Sequence, residues 1–195
     1  MSKTLMLMNV RLSYPTLFTP KPFEDGDTPA WSAAFHLDKV KQADQIKAFE
    51  DAEFAEFEAK LDDKKPPKAR ALFDALGPKE RRINDGDLDD SAPGCMVVKA
   101  RATQGKQAPP VVLDRQAARV AEGAAGAPYA GCYVNAQVDV WAQVGKYTRT
   151  NCTLLGVQFV KDGEAFGGGK PADLSKFQAL ADTGEDEDSG LAGLA

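Results

Sequence analysis

The spacing of hydrophobic positions changes period several times along the chain, and each change predicts an element. Residues Thr4 to Leu12 alternate, with Met6, Met8, Val10 and Leu12 on one side and Asn9 and Arg11 on the other. A period of two is that of a half-buried strand, and Tyr14-Pro15 reads as its end. Pro20, Pro22, Asp25, Gly26, Asp27 and Pro29 mark a loop. Ala30 to Leu37 then predicts a second strand, with Trp31, Ala33, Phe35 and Leu37 on its core face. From Val40 to Leu61 the period becomes helical, since Ile46, Phe49, Ala52, Phe54, Phe57 and Leu61 fall on one stripe among Glu, Lys and Ala. This predicts one long amphipathic helix, broken at Pro66-Pro67.

A short helical turn through Ala71-Leu72-Phe73 and a polar loop from Arg81 to Pro93 follow. Cys95 to Thr103 returns to alternation, with Met96, Val98 and Ala100 opposed to Val97, Lys99 and Arg101, and Pro109 to Asp114 is a short companion strand. Tyr129 to Val144 is the clearest strand, because Cys132, Val134, Ala136, Val138, Val140 and Ala142 make an unbroken apolar face. Its other face carries Tyr133, Asn135, Gln137, Asp139, Trp141 and Gln143. After a turn at Gly145-Lys146, Cys152 to Val160 closes the set. Five or six antiparallel strands around one helix predict a mainly β fold with α, an OB-fold-like antiparallel β-barrel. Residues 1–169 read as that domain. Residues 170–195 read as a flexible acidic C-terminal tail with a short helix at Leu174 to Leu180, because Gly, Asp, Glu and Ser bury too little apolar surface to order a segment.

Composition narrows the functional classes. The chain has 195 residues, 43% hydrophobic and 27% charged, which suits one soluble domain with a real core. No stretch reaches the roughly 20 apolar residues of a membrane span. The apolar run after Met1-Ser2-Lys3 is too short for a secretion signal, so a cytoplasmic protein is expected. Cys95, Cys132 and Cys152 are odd in number and widely spaced, beside a single His36, which suggests neither a disulfide framework nor a zinc site. The net charge of −5 is located in the tail: Asp182, Glu185, Asp186, Glu187 and Asp188 supply five of 29 acidic groups, and no base follows Lys176. The body therefore carries 24 charges of each sign and is free to present a basic face.

The polar face of the long strand carries the chemistry. Tyr133 and Trp141 stand there among hydrogen-bonding groups. Flat rings beside cations bind unpaired bases with little sequence preference, at about 1–3 kcal/mol per stacked base. Arg11, Lys99, Arg101, Lys146 and Arg149 lie on or beside strands where they could track phosphates, and Tyr14 and Tyr147 are further ring candidates. An alternative reading packs Tyr133 and Trp141 under the helix or a second layer, and leaves Lys99 and Arg101 as a solvated strand face. The loop Ile83-Asn84-Asp85-Gly86-Asp87-Leu88-Asp89-Asp90 lacks the ligand spacing of a calcium loop and reads as a turn. A metal-dependent nuclease built on Asp85, Asp87 and Asp89 is the competing enzymatic reading, and a protein-interaction module without DNA is a third. Gly167-Gly168-Gly169-Lys170 lacks the full phosphate-loop pattern. Neither a catalytic residue, a metal nor a cofactor is expected.

Several spaced motifs carry a family resemblance across about residues 5 to 169. They are Arg11-Leu12-Ser13-Tyr14-Pro15 with Leu17-Phe18 and Pro20, the loop Ile83-Asn84-Asp85-Gly86-Asp87, Tyr129-Ala130-Gly131-Cys132-Tyr133-Val134, and Gly156-Val157-Gln158-Phe159-Val160-Lys161-Asp162-Gly163-Glu164. The chain resembles a family of phage single-stranded-DNA-binding proteins, first catalogued as a domain of unknown function. The resemblance implies an OB fold and single-stranded DNA binding in phage replication, recombination or repair, within the host cytoplasm. The tail resembles the acidic C-termini of bacterial and phage single-strand binders. That implies recruitment of replication or recombination proteins through Glu185, Asp186, Glu187 and Asp188, and competition with DNA for the basic groove, although the chain closes on Leu194-Ala195 without a terminal Phe. A homodimer is one candidate assembly, and the sequence does not determine the oligomeric state.

Overall fold

The computed structural model describes residues 2–61, 66–88, 92–164 and 166. Asp89 and Asp90 of the acidic loop, the Gly167–Lys170 run, the helix expected at Leu174 to Leu180 and the tail carboxylates lie outside the described residues. Seven strands and two helices follow the order β1 Lys3–Lys21, β2 Ala30–Asp38, α1 Ala43–Glu58, α2 Pro66–Asp74, β3 Ile83–Asp85, β4 Cys95–Thr103, β5 Val111–Leu113, β6 Tyr133–Gln143 and β7 Arg149–Lys161. They form one sheet in the order β3-β4-β2-β1-β6-β7-β5, antiparallel except for β5 against β7. The mainly β architecture expected from the alternation is present. The sheet curls so that β4 and β7 come into contact, yet no ladder joins them. The five strands β4-β2-β1-β6-β7 thus make a partly open barrel of the OB type.

The core is the concave side. Phe35, Leu37, Val98, Ala100, Val134, Ala136, Val138, Val140, Leu154 and Val157 fill it from β2, β4, β6 and β7. On β2, β4 and β6 these are the faces that alternation predicts. Trp31 is also inside, with its indole N–H donating to the Phe18 carbonyl at 3.0 Å. Helix α1 covers one side of the sheet with Phe49, Ala52 and Phe57 buried. Each fully buried ring contributes about 2 kcal/mol of transfer free energy.

Several elements differ from the sequence reading. Strand β1 does not stop at Tyr14-Pro15 but runs on to Lys21, and it bends twice. One bend is a bulge between Leu7 and Val10, where Asn9 takes φ +53°, a left-handed conformation that Asn tolerates better than most residues. One extra residue reverses the alternation. Leu7, Val10 and Leu12 are therefore buried, while Met6 and Met8 are 52% and 48% exposed, contrary to their assigned core face. Side chains from elsewhere hold the bulge. Gln45 accepts from the Met8 N–H and donates to its carbonyl, Gln42 donates to the Met8 and Asn9 carbonyls, and Asn135 accepts from the Asn9 N–H.

The second bend sits at Tyr14, φ +46°, and redirects β1 from β6 to the far half of β2. Helix α1 is shorter than predicted. Helix α2 is longer than the predicted turn and begins at Pro66, because a first-turn proline lacks an N–H that would be unbonded anyway. The polar loop at 81–93 contains the short strand β3, paired through Ile83 and Val98. Strand β6 begins at Tyr133, four residues later than predicted.

What closes the open seam is a buried carboxylate. Glu53 of α1 has no exposed surface. Its Oε1 accepts from the Arg82 backbone N–H at 2.7 Å and the Thr150 hydroxyl at 2.6 Å, and its Oε2 accepts from Arg81 Nε and Nη2 at 3.3 and 3.2 Å. Segment 80–82 then bridges the two unpaired strands: the Lys99 N–H donates to the Arg82 carbonyl, the Thr150 N–H to the Glu80 carbonyl, and Arg82 Nε to the Thr150 carbonyl. Removing the carboxylate leaves the Arg82 backbone N–H without its acceptor, Arg81 with only the Glu50 carboxylate at 3.8 Å, and the Thr150 hydroxyl with only the Glu80 carbonyl at 3.3 Å. Glu53→Ala should therefore lower the unfolding free energy by about 3 kcal/mol and Glu53→Gln by less, as read from urea denaturation.

Candidate nucleic-acid interface

The convex side of the sheet is where the polar halves of the alternating strands meet. Cross-strand register places His36 of β2 opposite Arg11 of β1, Arg11 opposite Tyr133 of β6, and Tyr133 opposite Lys161 of β7. On the other flank Ala34 stands opposite Lys99, and Ser32 opposite Arg101. Arg101 reaches the Thr28 carbonyl of the β1–β2 loop at 3.0 Å. Lys161 Nζ lies 4.6 Å from the centre of the Tyr133 ring. Four sequence candidates, Arg11, Lys99, Arg101 and Tyr133, therefore share one continuous band.

That band continues across the seam. Ile83 pairs with Val98 in the core, so Arg82, one residue earlier, points outward beside Lys99. Arg149 begins β7 on the far side, with its neighbour Thr150 turned inward. Burial first, and then the like charges of Arg149 and Arg101, pull down the pKa of Arg82. The guanidinium nevertheless stays charged. Lys39, Lys47, Arg70 and Arg81 are all neutralised by carboxylates. Among the described residues, Arg82, Lys99, Arg101 and Arg149 have no carboxylate within ion-pair distance. Arg82 is not among the sequence candidates, because the polar run at 81–93 reads as a loop; the signal that marks it is Arg81-Arg82 immediately before the apolar Ile83.

A family model described as Enterobacter phage Enc34, ssDNA-binding protein, matches residues 3–189. The chain belongs to this family. The solved structure of the bacteriophage Enc34 single-stranded DNA-binding protein in complex with ssDNA is 28% identical. It covers 84% of this chain and 89% of that one, with a TM-score of 0.69. Putative protein p50 of Acyrthosiphon pisum secondary endosymbiont phage 1 is 29% identical over 189 residues, 94% of this chain and 97% of that protein. The single-stranded DNA-binding protein gp2.5 of bacteriophage T7, at 13% identity and a TM-score of 0.52 over 99% of this chain and 100% of that one, shares the fold alone.

Within the Enc34-type fold, the other sequence candidates lie apart from the band's centre. Trp141 is on the same face of β6 as Tyr133 but eight residues further along, about 26 Å away at strand rise. Its indole N–H donates to the Thr153 hydroxyl at 3.1 Å, and the half-buried ring lines an open hollow with Gln107, Pro109 and Asp139. Lys146 and Tyr147 form the β6–β7 turn, with Nζ 5.5 Å from a ring that is 58% exposed. Tyr14 is 82% exposed at the bend of β1.

The acidic loop is committed otherwise. Lys39 Nζ contacts both Asp85 and Asp87 at 2.6 Å, while Asp85 accepts the Asp87 N–H and Asp87 accepts the Gly94 N–H. The lysine, followed by the backbone bond to each, holds both carboxyls below their usual pKa. Asp85 and Asp87 thus form an ion-paired turn. Among the described residues no three of His, Cys, Asp and Glu converge on a metal position. No helix among them is long and apolar enough to cross a membrane. Cys132 and Cys152 are buried free thiols whose pKa values burial raises.

His36 sits at the middle of the band, 8% exposed, with Nε2 hydrogen-bonded to the Ser13 hydroxyl at 2.8 Å. Burial, and then the nearby Arg11 charge, lower its pKa from 6.5. As the pH falls, the unfolded chain takes up this proton before the folded chain does. The stability that depends on neutral His36 is therefore complete above about pH 6.5 and is lost progressively below it. His36→Gln, which keeps a partner for Ser13, should show a smaller drop in melting temperature between about pH 7 and 5.5 than the wild type.

Proposed function

We propose that the protein binds single-stranded DNA without sequence specificity, as a non-catalytic protector of phage DNA in replication, recombination or repair. The observation that carries this is the band of cations left without carboxylate partners on the convex face of the barrel. Phosphates are the natural counter-charge for such a band, since each neutralised contact releases condensed counterions. Arg82, Lys99, Arg101 and Arg149 would track the backbone across the seam, with Arg11 and the Tyr133–Lys161 pair continuing the path toward β6. Tyr133, Tyr14, Tyr147 and Trp141 offer π-faces to unpaired bases at the centre and ends of that path. The Enc34 protein, at 28% identity, has been solved with ssDNA, which supports the same activity in this chain.

Residues 1–169 would act as the binding domain in the host cytoplasm, with 170–195 as a partner-recruiting tail. What supports the tail's part is charge: Glu185, Asp186, Glu187 and Asp188 are followed by no base. Such a segment would compete with phosphates for the band and draw in replication or recombination proteins, and a second copy of the chain completes the proposed partners.

Fluorescence anisotropy with short oligonucleotides tests the reading. Single strands should bind more tightly than duplex, with affinity falling as salt rises. Equal affinity for both forms would reject it. Arg82→Met and Arg149→Met should each weaken binding and reduce the slope of log K against log salt by about 0.7, one phosphate contact apiece. Truncation after residue 181 should tighten binding, and incubation with Mg²⁺ or Mn²⁺ should leave the oligonucleotide intact.

A further inference from the structure

The most telling feature of the convex face is that one of its central positions already holds a ring. Beyond β7 the chain turns back over the sheet. Tyr129 anchors the turn, its hydroxyl donating to Asp162 at 2.8 Å and accepting the Gly163 N–H at 3.4 Å. Gly163 passes so close that an added Cβ would lie 2.2 Å from the Gly131 carbonyl and 3.1 Å from the Tyr133 ring. The Glu164 carbonyl accepts from Arg11 Nη2 at 2.5 Å. Phe166 then sets its ring 4.3 Å from the Arg11 guanidinium carbon and 5.2 Å from the His36 ring.

Three observations make this place unlike ordinary packing. Arg11 Nε is buried and has no hydrogen-bond partner, and a phenyl ring offers it none. Phe166 remains 42% exposed, so the contact excludes water on one side only. Arg11 and His36 present a planar cation and a flat ring in the row that also contains Tyr133 and Lys161. A nucleobase offers a π-face at least as large and, unlike the phenyl ring, carbonyl and ring-nitrogen acceptors.

We propose that the Arg11–His36 surface is a seat for one unpaired nucleobase, and that the chain's own Phe166 occupies that seat as a removable surrogate. The proposal rests on single-stranded DNA binding, and it adds a specific subsite and an internal competitor. The incoming base displaces Phe166 and stacks on the guanidinium. A strand without bases has nothing to put there.

The test uses the full chain with two ligands of equal length, oligothymidylate and an abasic deoxyribose-phosphate oligomer. Phe166→Ala should bind oligothymidylate about three- to fivefold more tightly than wild type, the worth of an exposed cation–π contact, with abasic affinity unchanged. Phe166→Trp, a better partner for the guanidinium, should bind oligothymidylate more weakly. Arg11→Met should erase the difference between wild type and Phe166→Ala. Melting curves confirm that each variant is folded, and the opposite directions expected for Ala and Trp separate competition from loss of structure. Equal tightening on both ligands would assign Phe166 to general charge masking and overturn the seat, as would an unchanged or weakened Phe166→Ala. If neither wild type nor Phe166→Ala binds either ligand, the DNA reading itself fails and the seat with it.

Discussion

The Glu53 carboxylate is the constraint on which the barrel depends. Strands β4 and β7 approach one another without a ladder, so the curl of the sheet must be held by something other than strand pairing. Four donors from Arg81, Arg82 and Thr150 converge on one fully buried carboxylate. They tie α1, the segment before β3 and the start of β7 into one cluster. A buried charge so satisfied adds less net stability than its removal would cost. Its effect is geometric: it holds segment 80–82 between β4 and β7, where strand pairing is absent.

That geometry determines where positive charge can gather. Arg81 turns inward to the carboxylate, and Arg82, one residue on, turns outward beside Lys99. The same local chain thus supplies both the neutralised cation that closes the barrel and an unneutralised one at its surface. Arg149 and Arg101 come near enough to depress the Arg82 pKa. Like charges are brought together here at a cost that an anionic ligand would relieve. The bends of β1 serve the same surface from the other side, since a single strand reaches both β2 and β6 and so aligns His36, Arg11 and Tyr133 in one row.

Much of this was legible in the residues. Alternation assigned the core faces of β2, β4 and β6 correctly, and helical spacing found the buried stripe of α1. It failed at Met6 and Met8, because a left-handed Asn9 reverses the pattern and the groups that stabilise it, Gln42, Gln45 and Asn135, lie 33 to 126 residues away. It also separated what the fold unites and united what the fold separates. Tyr133 and Trp141 share a strand face but lie at its two ends, while Arg82 and Arg149, 67 positions apart by their numbers, meet at the seam.

The sequence by itself determined the class of fold, the covered and uncovered faces of its regular strands, and the segregation of acid into the last residues, because these follow from local period and local composition. Only the tertiary structure decided which cations remain unpaired, where the sheet stays open, and that Phe166 rests on Arg11 and His36. Those outcomes depend on partners brought together across the whole chain: Glu53 with Thr150 is a contact of 97 residues' separation, and Arg11 with the Glu164 carbonyl one of 153. A period of two or of 3.6 records which way a side chain points. What it meets there is settled by the curvature of the sheet and the bulges that redirect it.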